Sequence, residues 1–343
     1  MLVCCVNADA QHIELQLKAA QFVAMRVGND TAQSYTVGVN AYLRFTIAFG
    51  HQTLPASDQV LALFMAFQSQ SCNSDTLSNY LSHIRDLHLI SGFQWKPVKD
   101  RWLISSTLKG IARMTGKQKK KKMAITVDML KRMASVVMDN SFAAAHNIPT
   151  TNVRTAWSAT LIGFFGMLRK QNICSKAVMT FDPKKSLIRG DLKWISSTAA
   201  LWFRARFSKT NLFGQKDHII PLQYNGGLLC PVLAFFRHLE DTPDGGEEGP
   251  AFLMSKRGRL SPLAHTEFVS ILKKLLEFVG ENPRLFAGHS LRRGGATLGF
   301  KLGAPTCQIM TQGDWMSMAV LGYNDPEIEF LQCLPRMFAN ATR

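Results

Sequence analysis

The sequence has no long apolar run and no cysteine or histidine pattern typical of a metal site. No stretch reaches about 18 consecutive apolar residues, so we expect no membrane-spanning helix. The seven cysteines, at positions 4, 5, 72, 174, 230, 307 and 333, form no C-x-x-C pair, which argues against zinc and against a disulfide framework and suits a reducing compartment. The first ten residues lack the charged and apolar segments of a signal peptide, so none is expected.

Acidic residues are scarce relative to basic ones. The chain has 24 Asp and Glu against 40 Lys and Arg, a formal net charge of +16 at pH 7. Both parts of the chain carry this positive charge. The residues before position 124 contribute +7 (14 basic, 7 acidic), and the rest contribute +9 (26 basic, 17 acidic). A charge of this sign attracts polyanions, and nucleic acid is the partner that it indicates first. The alternative is that the charge only keeps the protein soluble.

The residue pattern predicts two domains in a mainly α fold with one small antiparallel β-sheet. A chain of 343 residues with 46% apolar and 19% charged residues is long enough for two globular cores. Residues 1–116 have five apolar stripes of helical spacing, and Ser57 and Asp100 can cap two of these helices. Residues 126–343 are again mostly helical, with Thr126 as the first cap.

The helical pattern of the second domain is interrupted once, around residues 186–222. Short segments rich in β-branched and aromatic residues lie at 187–188, 192–195, 200–207 and 218–222. Residues 211–215, which include a glycine, separate the last two segments and indicate the tip of a hairpin.

Residues 117–125 are predicted to form a Lys-rich linker between the domains. The segment from Gly116 to Lys122 has no apolar residue, and regular apolar patterns flank it on both sides. A solvated spacer explains such a run. Its charge also suits contact with DNA phosphates, and the same residues could serve as a nuclear localisation signal. The candidate DNA-backbone residues are Lys119, Lys120, Lys121 and Lys122.

Several residues of the second domain carry groups suited to a phosphate site, although each alone is a weak signal. Arg169 ends a very apolar run and therefore either reaches the surface or points into a cleft. His289 and Arg292 are three residues apart, which puts them on one face if a helix begins there. A surface polar pair would have the same spacing. Trp315 could equally be a core residue, and Tyr323 any partly buried tyrosine.

The second domain resembles the tyrosine recombinase (phage integrase) family in the order of its candidate residues: Arg169, Lys209, His289, Arg292, Trp315 and Tyr323. The most specific parts are the segment 288–296, the Gly-Asp-Trp turn that ends at position 315, and the eight-residue spacing from there to the tyrosine. The resemblance is one of sequence motifs over about residues 126–343. Over residues 11–114 it is only one of the arrangement of predicted helices. It implies a helical core-DNA-binding domain followed by a mixed, mostly helical catalytic domain.

Two short sequence segments of the candidate site are most similar to those of recombinases from eukaryotic mobile elements of the Crypton and DIRS types. They are Leu-Arg-Lys-Gln-Asn at 168–172 and Ser-Lys-Thr-Asn-Leu-Phe at 208–213. One position departs from the family pattern, because Asn172 stands where members often have Glu three residues after the first arginine. A residue at this position supports the site and does not itself react.

The resemblance implies that Tyr323 attacks a DNA phosphodiester and forms a phosphotyrosyl bond. Of the five tyrosines, only this one follows the His-x-x-Arg segment. The attack builds negative charge on the phosphate, and the guanidinium forks of Arg169 and Arg292 match its two non-bridging oxygens. His289 would donate to a phosphate oxygen or help to take the tyrosine proton, and Trp315 would donate its indole N–H.

A hairpin lysine completes the set of groups that the resemblance implies. Lys209 would protonate the leaving 5′ oxygen, and Lys216 is its rival on the same hairpin. The phosphotyrosyl bond conserves the energy of the phosphodiester, so we expect neither a nucleotide nor a metal cofactor.

The resemblance also implies the partners of the protein. We expect double-stranded DNA with inverted-repeat-type sites, a dimer on each site, a tetramer in the synaptic complex, and no membrane partner. The apolar stripe Ile328, Leu331, Leu334 and Phe338 is then either a helix of its own domain or one exchanged between subunits. The location would be the nucleus for a eukaryotic mobile element and the cytoplasm (nucleoid) otherwise.

Two other functions share part of this pattern. A type IB topoisomerase or resolvase-like enzyme would use the same chemistry without pairing sites. A domesticated DNA-binding protein would hold DNA without cutting it, although it would have no need to keep the whole residue set. A metal nuclease is disfavoured because the sequence shows no carboxylate cluster.

Replacement of the four linker lysines with Gln tests whether the linker lies on DNA. We expect a clamp with the two domains on opposite sides of the duplex, joined by this segment. Each lost phosphate contact should lower the salt dependence of the binding constant by up to about 0.9 in log–log slope. Specific and random duplexes should be affected alike, because phosphates carry no sequence information. Titrations at several salt concentrations measure both effects, and an unchanged slope would mean that the linker is only a spacer.

Overall fold

The computed structural model describes residues 2–116, 122–206, 217–323 and 335–339. The chain forms two compact units, Met1–Lys120 and Lys121–Arg343. The helices of the first unit are α1 (Leu2–Met25), α2 (Asn29–Ala48), α3 (Asp58–Gln68), α4 (Ser74–Ile90) and α5 (Trp102–Thr115). Within the described ranges no helix is both long and apolar enough to cross a membrane.

The second unit is mostly helical and contains two small sheets. Its helices are α6 (Val127–Met138), α7 (Ser141–His146), α8 (Thr150–Phe165), α9 (Pro231–Asp241), α10 (His265–Phe278), α11 (His289–Lys301) and α12 (Thr306–Gly313). Its strands are β1 (Leu192–Ile195), β2 (Ala200–Ala205), β3 (His218–Gln223), β4 (Leu253–Lys256) and β5 (Arg259–Pro262). The prediction of a mainly α fold with a small antiparallel sheet is confirmed.

The core of the first unit is built from α2, α3, α4 and α5, around buried aromatic and aliphatic residues such as Tyr42 and Phe64. Ser57 caps α3 as predicted, since its hydroxyl accepts a hydrogen bond from the Val60 amide at 3.2 Å. The predicted cap at Asp100 is wrong. Residues 98–100 form a 3₁₀ turn, and α5 is preceded instead by Arg101, which has no capping side chain.

The buried side chain of Arg101 explains this backbone path. Its guanidinium binds the carboxylate of Asp58 and lies 4.6 Å from the centroid of the Trp95 ring. An ion pair with one buried partner is costly to break, because the remaining charge would be left unpaired. The backbone therefore stays extended at Arg101 and moves Asp100 out of the capping position.

The second unit is organised around α8, a helix buried along most of its length. Apolar side chains from α6, α9, α10, α11 and both sheets pack around it in one continuous core. In the first sheet β2 pairs antiparallel with β1 and with β3, so that Phe203 lies opposite Leu192 and Ile220. The predicted strand at 187–188 does not form, and Ile188 makes only an isolated bridge to Pro250.

The hairpin of β4 and β5 was not predicted. The two strands pair antiparallel through a turn in which Arg257 and Gly258 both have positive φ angles, of 52° and 76°. Each strand has four residues, which is too short to give a clear alternating pattern in the sequence.

The end of the predicted linker lies on the second unit. The Met123 amide donates to the Leu285 carbonyl at 2.9 Å, and the Ile125 amide donates to the Ser290 carbonyl at 3.1 Å. The Ile125 side chain is fully buried, and Thr126 caps α6 as predicted. Residues 122–125 are thus attached to the loop before α11 and to its first turn. Lys122 donates to the Arg284 carbonyl at 2.6 Å, whereas Lys119, Lys120 and Lys121 lie outside the described residues.

Two glycines allow α11 to lie directly against its neighbours. A Cβ atom at Gly294 would overlap the Ile125 carbonyl oxygen and the Phe164 ring, and a Cβ atom at Gly295 would overlap the Phe164 carbonyl oxygen. Backbone atoms cannot move aside as side-chain ends do. The position of α11, and of every residue that it carries, therefore depends on these two glycines.

Gly295→Ala is expected to destabilise the second unit by about 1–3 kcal/mol or more, because the new methyl group would overlap a backbone carbonyl. Chemical denaturation followed by tryptophan fluorescence measures the loss. Gly299→Ala on the same helix is the matched control, since its Cβ would meet only side-chain atoms, of Ile309 at 3.2 Å and of Met167 at 3.5 Å. Equal losses in the two variants would contradict the proposed role of Gly295.

Candidate active site

Arg292 lies in the first turn of α11 and is almost completely buried, with 1% of its surface exposed. One terminal nitrogen donates to the Met167 carbonyl at 2.6 Å, and the guanidinium carbon lies 3.5 Å from the centroid of the Trp315 ring. The other two guanidinium nitrogens have no hydrogen-bond partner among the residues that the structure describes. Buried donors without partners cost about 1–3 kcal/mol each. Such a cost favours a role in binding an anion.

Arg169 follows α8 and lies in the same region as Arg292. Its terminal nitrogen is 3.5 Å from a carboxylate oxygen of Asp314. Burial lowers the pKa of Arg292, and the charge of the Arg169 guanidinium lowers it further. The predicted pair of arginines is thus brought together, close enough for mutual repulsion.

Trp315 and Tyr323 form the wall of the site beside Arg292. Their rings meet edge to face, with centroids 5.1 Å apart at an angle of 69°. Tyr323 ends a 3₁₀ turn, and its carbonyl accepts a hydrogen bond from the Thr297 hydroxyl of α11 at 3.0 Å. The Arg292 guanidinium is 5.6 Å from the centroid of the tyrosine ring. The candidate nucleophile therefore lies next to the buried arginine.

His289 is the first residue of α11, one turn before Arg292, so the two residues share a face as the spacing predicted. Its side chain retains solvent contact. The pKa of its imidazole is nevertheless lowered, first by the partial burial of the ring and then by the nearby cations Arg292, Lys170 and Arg169. At neutral pH the ring is therefore neutral and can accept or donate a hydrogen bond.

The predicted hairpin lysine, Lys209, and its rival Lys216 lie outside the described residues. The base of their hairpin is described and is held by ion pairs. Arg204 on β2 binds Asp217 through two hydrogen bonds of 3.0 and 2.8 Å. Arg206 binds the buried carboxylate of Asp191 at 2.9 Å.

The sequence analysis missed Asp314 as a member of the site, although it named the turn that contains this residue. Asp314 has a left-handed backbone, with φ 55°, and this conformation directs the chain from α12 into Trp315. Arg293 was also missed, and its guanidinium lies 5.5 Å from the Tyr323 ring. An acidic residue within a Gly-x-Trp turn was the available signal for Asp314.

The oxygen of the Asn172 side chain accepts a hydrogen bond from the Arg169 amide at 3.3 Å. The residue that departs from the family pattern therefore still contacts the first arginine. Among the described residues, no group of three or more His, Cys, Asp or Glu side chains could hold a metal ion.

A helical first unit precedes a mostly helical second unit that brings together two arginines, a histidine, a tryptophan and a tyrosine in this chain order. This order of residues is the one by which the sequence resembles the tyrosine recombinases. No family model matches the chain. A relative, the integrase/recombinase XerD homolog of Selenomonas ruminantium, is 23% identical over 299 residues, which cover 85% of this chain and 80% of that protein.

Three solved structures share the fold. The XerH recombinase bound to its difH substrate has a TM-score of 0.61 and 14% identity, covering 90% of this chain and 79% of that one. The Tn1549 transposon integrase with circular-intermediate DNA has a TM-score of 0.58 and 12% identity, with 94% and 98% covered. A lambda integrase dimer on a core site has a TM-score of 0.55 and 16% identity, with 92% and 95% covered. The chain therefore shares the fold of these three proteins.

Lys170→Gln is expected to raise the pKa of His289 toward its ordinary value, because it removes one of the cations that lower it. The imidazole resonances in a two-dimensional NMR titration report this pKa directly. Lys131→Gln, an exposed charge removal on α6, is the control and should leave the titration unchanged. Equal shifts in the two variants would show that the effect is one of net charge and not of the site.

Proposed function

We propose that the protein is a site-specific DNA recombinase that cuts and rejoins DNA through a 3′-phosphotyrosyl intermediate. The observation that carries this proposal is the position of Tyr323 beside Arg292, a buried guanidinium with two unpartnered donor nitrogens. A phosphodiester is an anion that could accept hydrogen bonds from these donors. Attack on the same phosphodiester is the chemistry for which a neighbouring tyrosine hydroxyl is suited.

In the proposed reaction the Tyr323 oxygen attacks phosphorus, and the bond to the 5′ oxygen of the next nucleotide breaks. The tyrosine proton passes to a base, for which the neutral ring of His289 is suited. The leaving oxygen takes up a proton, which we assign to Lys209. The reverse reaction with a 5′ hydroxyl from another strand rejoins the DNA, so the number of phosphodiester bonds is conserved and no nucleotide is consumed.

The two arginines stabilise the charge that develops during this attack. Arg292 is held by the Met167 carbonyl and the Trp315 ring, so its remaining donors need little rearrangement. Arg169 approaches from another element and can bind the second non-bridging oxygen. Preorganised donors of this kind each lower a barrier by roughly 3–4 kcal/mol. Trp315 contributes its indole N–H and closes one side of the pocket.

We propose that the first unit binds DNA through the exposed face of α5. Trp102, Ser106, Lys109 and Arg113 recur on this helix at intervals of four, three and four residues, which places them on one side. Trp102 is 79% exposed, and the helix contains no acidic residue. An uncovered aromatic ring on a cationic face suits contact with phosphates and bases.

We further propose that the protein acts as a dimer on an inverted-repeat-type site and as a tetramer when two sites are paired. The lambda integrase structure, which shares the fold, is a dimer on a core site. Of the C-terminal apolar stripe, Ile328, Leu331 and Leu334 lie outside the described residues, and Phe338 is exposed. The finer likeness to Crypton and DIRS-type elements stays a prediction, and with it a nuclear location.

Tyr323→Phe is expected to abolish covalent attachment to DNA while leaving DNA binding intact, because only the attacking oxygen is removed. Incubation with a nicked suicide duplex, followed by denaturing electrophoresis, shows the adduct as a shifted band. The wild-type band should persist in excess EDTA and without nucleotide. A band that survives in the variant would refute the assignment of the nucleophile. DNA binding without any adduct in the wild type would favour a non-cutting DNA-binding protein.

A further inference from the structure

Asp314 is an acidic residue in a site built to bind an anion. Its carboxylate oxygen lies 3.5 Å from the terminal nitrogen of Arg169, and the two side chains are only 20% and 17% exposed. The pKa of Arg292 is lowered first by burial and then by Arg169, and it is raised by Tyr323 and, to a smaller extent, by the same Asp314 carboxylate. Asp314 therefore acts on both guanidinium groups and opposes their mutual repulsion.

The backbone at Asp314 does not by itself explain an acidic residue. The residue has φ 55° and ψ 53° and ends α12, and the next amide, of Trp315, donates to the Met310 carbonyl at 2.9 Å. Glycine adopts this left-handed conformation without the strain that a Cβ atom brings, and asparagine tolerates it about as well as aspartate. A turn alone would be served by either residue, so the carboxylate needs another reason.

The distance between Arg169 and Asp314 suits a contact that orients the arginine side chain without occupying all of its hydrogen-bond donors. Charge-assisted hydrogen bonds between nitrogen and oxygen are typically about 2.7–2.9 Å long, which is shorter than this pair. A guanidinium has five N–H donors, so the one contact made within the described part of the chain leaves several of them for another oxygen. The carboxylate can thus fix the direction of the Arg169 side chain while the guanidinium keeps donors for a phosphate.

We propose that Asp314 is a positioning residue that orients Arg169. Its carboxylate also partly neutralises the charge of the two arginines until a bound DNA phosphate does so. The role in cleavage rests on the proposed function, whereas the charge balance does not. When the phosphate binds, its negative charge lies between the guanidinium groups and adds to that of the Asp314 carboxylate.

Two substitutions distinguish the effect of the Asp314 carboxylate from the effect of the backbone conformation of its turn. Asp314→Asn keeps the shape of the side chain, and Asp314→Gly relieves the backbone, but both remove the negative charge. We expect each variant to form the covalent adduct on the suicide duplex on the order of 10–100-fold more slowly under single-turnover conditions, because Arg169 loses its orientation. DNA affinity should not fall, because the loss of the carboxylate leaves the site more cationic. Wild-type rates in both variants would overturn the proposal.

A carboxylate placed at another position near Arg169 should restore part of the cleavage rate that Asp314→Asn loses. The Asn172 side chain already reaches the Arg169 amide at 3.3 Å, and a glutamate there is one methylene longer. Asn172→Glu combined with Asp314→Asn should recover a large part of the lost rate, because it returns a carboxylate to the neighbourhood of Arg169. Asn172→Glu alone is the control for unrelated effects. A double variant as slow as Asp314→Asn would count against a positioning role.

A stability cycle without DNA tests the charge balance independently of cleavage. Thermal unfolding of wild type, Arg169→Gln, Asp314→Asn and the double variant gives the coupling between the two side chains. We expect Asp314→Asn to lower Tm, the added Arg169→Gln to restore part of the loss, and inorganic phosphate to raise Tm more in Asp314→Asn than in wild type. Zero coupling and equal phosphate effects would overturn the proposal. A wild type that forms no adduct but shows this coupling would refute the proposed function alone.

Discussion

Burial of the Arg292 guanidinium is the constraint on which the second unit depends. A charge in this position is tolerated because one donor meets the Met167 carbonyl and the flat face of the group lies on the Trp315 ring. Met167 itself has a positive φ of 49°, which turns the chain between α8 and Arg169. The residues that hold Arg292 thus also set the positions of the second arginine and, through the Trp315 ring, of Tyr323.

The electrostatics of the site follow from this buried charge. Each further cation, Arg169 or Lys170, disfavours protonation of His289 and so keeps its ring neutral. Tyr323 and, to a smaller extent, the Asp314 carboxylate raise the pKa of Arg292. Because the cations outnumber the carboxylate, the site keeps a positive charge that suits the proposed binding of a phosphodiester. Under the proposed function, proton transfer, anion binding and folding of the second unit therefore depend on one set of charges.

Motif order and the helix cap at Thr126 could be predicted from the sequence, because both depend on residues close together in the chain or on a known order of residue types. The cap at Asp100 could not, because the long-range pair of Arg101 with Asp58 decides the local backbone. The β4–β5 hairpin is too short to show a period. The role of Asp314 required the distance to Arg169, since 145 residues separate the two in the chain.

The close approach of α11 to the backbone of α8, which Gly294 and Gly295 permit, has a consequence for newly made chains. Arg292 meets the Met167 carbonyl only after α11 has docked, and the loop that carries Tyr323 follows later in the sequence. An incompletely folded chain therefore has no paired arginines beside its tyrosine. Under the proposed function, a chain that has not finished folding would therefore lack the site that cuts DNA.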